Sequence, residues 1–144
     1  MHEFTDSKGE TWDVAITGAT VKRAAHYLDV DLGNLTAAKP DQPALLTRID
    51  TDIVFLVDLL FVVCKPQADA RKLADVDFAE RLAGETLRKA HDALLEALSD
   101  FYQSLGRPDQ ARAIEKQREV ITAAVEEAEK AVAAIDASTV APGS

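Results

Sequence analysis

Positive charge is what this chain is shortest of. It carries 16 Lys and Arg against 25 Asp and Glu, a formal charge of −9 at pH 7. Phosphate backbones and anionic membrane surfaces are bound through cationic faces, so the balance argues against nucleic acid and membrane as partners. It serves solubility, and it suits a basic or apolar partner. Cysteine is almost absent. Cys64 stands alone, which excludes an internal disulfide and a Cys-rich metal site. Its apolar neighbours fit a small buried hydrophobe. Long hydrophobic runs are missing too. The longest, Ile53 to Cys64, has Asp58 in its middle and falls well short of the roughly 20 residues that span a bilayer. The opening Met1-His2-Glu3-Phe4 runs into polar and charged residues, unlike a signal peptide, so the expected compartment is cytoplasmic. The six glycines are scattered, which leaves no phosphate-cradling loop, and no serine sits in a G-x-S-x-G turn. Aromatics make up only 6%; with abundant alanine, that favours closely packed helices over a sheet sandwich.

What is present is enough for one core. The chain has 144 residues, 47% of them hydrophobic, the size of one ordinary domain. The expected fold class is mainly α (α+β): an N-terminal β-hairpin packed on a helical body that ends in a long antiparallel helical hairpin. A single domain over 1–137 is expected, with the β-hairpin at about 3–17, the helical body at about 20–136 and a flexible tail at 138–144. The hairpin is read from Phe4 and Trp12-Val14-Ile16, which alternate at period two around Asp6-Ser7-Lys8-Gly9. Thr20 is placed to cap a short helix through Leu28, and Asp41 a helix carrying Leu45, Leu46 and Ile49. Residues 52–64 suit either a buried strand or a central helix. Their length and a cap at Thr51 favour helix, ended by Lys65-Pro66.

Two longer helices are expected next, over 77–105 and 109–136, each about 28 residues or 42 Å. Asp77-Phe78-Ala79-Glu80 fits a capping box at the first, and Gly106-Arg107-Pro108 a turn between them. Gly84 interrupts the first at a cost of about 1 kcal/mol relative to alanine. On the second, Ile121, Val125, Ala128, Val132 and Ile135 recur at spacings of four and three, a coiled-coil-like seam.

Candidate chemistry is sparse. His2, His26 and His91 show no established ligand spacing. Glu115, Glu119, Glu126, Glu127 and Glu129 invite comparison with all-helical Mg²⁺ pyrophosphatases, but metal carboxylates should converge from more than one helix. Glu126–Lys130 and Glu115–Arg118 have the spacings of solvated surface pairs instead. Asp58, if buried, needs a donor such as Lys22, Arg23 or a backbone amide. No catalytic residue, cofactor or metal is assigned, and the chain is expected not to be an enzyme.

Several stretches together resemble the tail assembly chaperones of long-tailed bacteriophages. They are Phe4-Thr5-Asp6-Ser7-Lys8-Gly9-Glu10-Thr11-Trp12, Thr20-Val21-Lys22-Arg23, Val30-Asp31-Leu32, Asp52-Ile53-Val54-Phe55-Leu56-Val57-Asp58-Leu59-Leu60, Phe78-Ala79-Glu80-Arg81-Leu82-Ala83-Gly84 and Ala97-Leu98-Ser99-Asp100-Phe101-Tyr102. The resemblance implies an assembly factor of the host cytoplasm that is absent from the mature virion. It would bind the tape measure protein, a very long helical client, and keep it soluble until tube subunits polymerise around it. It also implies that this is the short form, with a longer frameshifted form recruiting tail tube subunits. The long acidic last helix lies outside what the resemblance explains. A structural tail or neck protein and a generic helical adaptor are the competing expectations. For a holder, the expected partner-binding residues are Ile121, Val125, Val132 and Ile135. Part of that stripe is expected to pack on Leu94, Leu98 and Phe101, leaving Val132 and Ile135 for the client. Burial of those two within the chain is the competing expectation. Self-association along a long client is expected as well.

Overall fold

The computed structural model describes residues 2–140, with the side chains of 136–140 left aside. The chain is mainly helical with a two-stranded N-terminal sheet, as composition and periodicity imply. Strand β1 (His2–Thr5) pairs antiparallel with β2 (Thr11–Val14), Phe4 opposite Trp12. Phe4, Trp12 and Val14 are buried on one face, the period-two pattern the sequence shows. Gly9, at φ 86°, supplies the left-handed residue of the turn. Asp6 organises that turn. Its carboxylate accepts from the backbone N–H of Lys8 and Glu10, from Trp12 Nε1 at 2.9 Å and from Arg81 at 3.0 Å.

Helix α1 (Gly18–Leu28) is capped by Thr17, with Thr20 as the reciprocal partner three residues on. The cap therefore lies three residues before the expected Thr20. Thr20 is drawn inward, where its hydroxyl donates to the Ala15 carbonyl at 3.0 Å. The connection from α1 crosses the body on Val30, Leu32 and Leu35, all buried. Helix α2 (Leu45–Thr51) starts at Ala44 without a side-chain cap, so Asp41 does not cap it. Helix α3 follows at once, and Asp52 rather than Thr51 caps it by accepting from Phe55 N at 3.1 Å.

Residues 52–64 are helical, and they form the middle of the body: α3 (Ile53–Ala70) touches α1, α2, α4, α5 and β2. Proline does not end the helix. Pro66 removes the N–H that would bond the Val62 carbonyl. Arg23 of α1 takes over: its Nε donates to Val62 O at 3.1 Å and its Nη2 to Val63 O at 3.2 Å. With that carbonyl satisfied, the helix runs on to Ala70. The added turn serves the sheet. The Gln67 side-chain amide bonds both the N–H and the C=O of Asp13, and Arg71 donates to Thr11 O. The open edge of β2 is closed by these side chains.

The expected helix over 77–105 is two helices. Asp77 accepts from Ala74 N at 3.0 Å, so α4 spans Asp75–Glu80. The chain then turns, and α5 (Glu85–Ser104) begins at Gly84, φ 54°. The hairpin turn explains the break. Arg81 reaches Asp6 and Glu10, and its carbonyl accepts from Ser7 N. An unbroken helix through 81 would not present that carbonyl to the hairpin, and Gly84 supplies the positive φ for the restart. Helix α6 (Pro108–Val140) begins where Gly106 and Pro108 place it. It has 33 residues against 20 in α5, not the equal lengths expected. It also runs past the expected end at 136, taking in 138–140 of the expected tail; 141–144 lie outside the described residues.

One contiguous core draws its residues from Phe4 through to Ile114. Trp12, Phe61 and Phe78 meet edge to face at its hairpin end, with centroids 4.9 Å and 5.6 Å from Phe78. Tyr102, fully buried, donates to the Leu32 carbonyl at the other end.

Candidate interaction surface on the last helix

Helix α6 has two halves in different surroundings. The first is anchored. Arg107 donates to Gly33 O, and Gln110 accepts from Leu35 N. Ala111 and Ile114 are buried against the body, 4% and 1% exposed. Arg118 spans to α5 at 3.8 Å from Asp92 and 3.9 Å from Glu96. Beyond it every described side chain of the helix, from Glu119 to Ile135, is exposed.

The stripe read from the sequence falls in that second half. Ile121 is 36% exposed, Val125 50%, Val132 57% and Ile135 63%. None of them is buried. Ala111 and Ile114 precede them on the same seam, at the same spacings of three and four, and are its buried members. The expected packing of Ile121 and Val125 is corrected accordingly, and Val132 and Ile135 are not buried within the chain. The phase of the seam already pointed back to Ile114 and Ala111 through Arg118. What the spacing did not give is where α5 begins, and that decides which part of the seam is covered.

Other exposed apolar side chains lie apart from this stripe. Ile53 and Val54, at the start of α3, are 66% and 73% exposed, and Val76 is 63% exposed. Helix α3 is thus central without being wholly buried. Asp58 is exposed as well and has no need of a buried donor. It lines a cleft of about 440 Å³ with Tyr27, Leu28, Phe61, Val62, Lys65 and Asp75. Lys65 lies 5.7 Å from both the Tyr27 and Phe61 ring centroids and is held by Asp69 at 3.0 Å.

The three histidines are engaged in structure. His91 bonds Asp50 at 2.7 Å, His2 bonds Asp100 and lies 3.3 Å from Glu96, and His26 stacks edge-on with Tyr27. Cys64 is fully buried, and burial pushes its thiol up to about 12. A nucleophilic thiolate at neutral pH is therefore disfavoured. Burial would raise the Asp6 carboxyl, but the bonds from Trp12, Glu10, Arg81 and Lys8 outweigh it and hold it at about 2. The α6 glutamates are exposed, and among the described residues no group of three or more His, Cys, Asp or Glu is arranged to hold a metal. Neither Glu126–Lys130 nor Glu115–Arg118 closes to ion-pair distance among the described residues; Arg118 turns to α5 instead. No described helix is long and apolar enough to cross a membrane.

No family model, curated protein or solved structure matches this chain.

Proposed function

We propose that the protein is a non-catalytic holder, and specifically a phage tail assembly chaperone that keeps the tape measure protein soluble in the host cytoplasm. The observation that carries the reading is the second half of α6. Aliphatic side chains at helical spacing are exposed there, on an acidic helix attached to a packed body. Burying one large aliphatic side chain is worth about 1.5–3 kcal/mol, so an aliphatic row held in water favours a helical client. The resemblance of several stretches within residues 4–102 to tail assembly chaperones points to the tape measure protein as that client. On this reading the chaperone leaves before the virion matures, and a longer form would recruit tail tube subunits.

Co-expression tests the reading. The tape measure protein, made with this chain, is expected in the soluble fraction and to co-purify with it. A folded Val125→Ser/Val132→Ser variant is expected to lose most of that effect. A client that is equally insoluble with and without the wild-type chain would overturn the reading. So would metal-dependent release of pyrophosphate from nucleoside triphosphates that Glu126→Gln abolishes.

A further inference from the structure

We infer that the exposed half of α6 takes a helix of another chain, apolar along one seam and basic along its flank, as the continuation of the groove that α5 fills. The inference rests on the reading of this stripe as the client surface and adds the chemistry of what binds there. Continuity comes first. Ala111, Ile114, Arg118, Ile121, Val125, Ala128 and Val132 follow one another at spacings of three and four, so a single coiled-coil seam runs through both halves of the helix. Its first members pack within the chain, and the later ones are exposed. The occupant suited to the later ones is of the kind that suits the first: a helix with side chains at every third and fourth position.

Charge then separates a foreign helix from a second copy. From Glu119 to Ile135 there are four glutamates and one lysine. Two copies of this segment side by side would bring like charge together. The seam's two flanks differ. Ala124 and Ala131 line one, leaving room for close backbone approach. Thr122 and Glu129 line the other, where a lysine or arginine of the occupant meets a carboxylate. Such pairing adds specificity more than affinity, which comes from the aliphatic seam.

The test uses the full chain and two synthetic amphipathic helices of about three heptads, both with a leucine seam, one with lysine flanks and one with glutamate flanks. The lysine-flanked peptide is expected to bind, more weakly as salt rises. Val125→Ser/Val132→Ser should weaken it at least about tenfold. Glu129→Lys should weaken it about two- to fivefold at low salt and favour the glutamate-flanked peptide. Both variants change exposed side chains only, and circular dichroism checks that they fold. Equal or tighter binding of the glutamate-flanked peptide to the wild-type chain overturns the inference. So does concentration-dependent dimerisation that Val125→Ser/Val132→Ser abolishes, because the second copy would then be the occupant. Failure here with client solubility intact removes only the basic helix. Peptide binding without client solubility removes only the chaperone reading.

Discussion

Asp6 is the residue on which the hairpin depends. Its carboxylate is buried and answers four donors at once. The folded carboxyl titrates at about 2, against 3.8 as the reference value. The folded pKa is the lower one, so its stabilisation is fully present above about pH 5 and is lost as pH falls from about 4 to 2. It amounts to about 2 kcal/mol. Asp6→Asn is expected to remove that acid-limb dependence and to cost about 2–4 kcal/mol, because Arg81 loses its buried partner. Urea unfolding at pH 7 and pH 3 measures both effects. Arg23 gives a second test. Arg23→Met should cost about 1–3 kcal/mol by leaving the Val62 carbonyl without a donor. In a Pro66→Ala background the penalty should shrink, since residue 66 regains its N–H. An undiminished penalty would mean that Arg23 acts through other contacts. Neither role was legible from the sequence. Asp6 looked like one of four turn residues, and Arg23 like a possible partner for Asp58. Both depend on contacts with elements far along the chain.

At the scale of elements, local patterns carried the reading a long way, and long-range contacts account for the rest. Period-two alternation gave the hairpin, and the spacing of Leu94, Leu98 and Phe101 gave the helix that became α5. Two of the misplaced helix boundaries have one kind of cause. Pro66 reads as a stop until Arg23 is there to replace the missing bond. Residues 77–105 read as one helix until the hairpin turn claims Arg81 and Gly84 takes its positive φ. Gly84→Ala should therefore destabilise by roughly 1 kcal/mol or more, where an ordinary helix-interior glycine would gain from the change. A rise in the unfolding midpoint would contradict this account of the break. Helix α6 shows the converse: its seam was fully legible and its burial was not. No described side chain beyond Arg118 is buried. Deleting 119–144 should accordingly leave stability within about 1 kcal/mol of the full chain. A larger loss would show that the distal half supports the body.

The whole molecule combines a packed body with a last helix whose far half is exposed. Residues Phe4 to Ile114 supply the core, while the far half of α6 spends aliphatic surface in water. Helical segments without tertiary packing are marginal in water, so that half should open locally far more often than α3. On the proposed reading, a client that covers it would add packing there and so couple holding to ordering of the helix. Hydrogen exchange on the full chain, alone and bound to the tape measure protein, tests this most directly. The account predicts fast exchange over residues 119–135 in the isolated chain, strong protection there in the complex, and little change across Leu59, Leu60 and the rest of α3. Protection that arises instead around Ile53, Val54 and Val76, with α6 exchanging as fast as before, would contradict it.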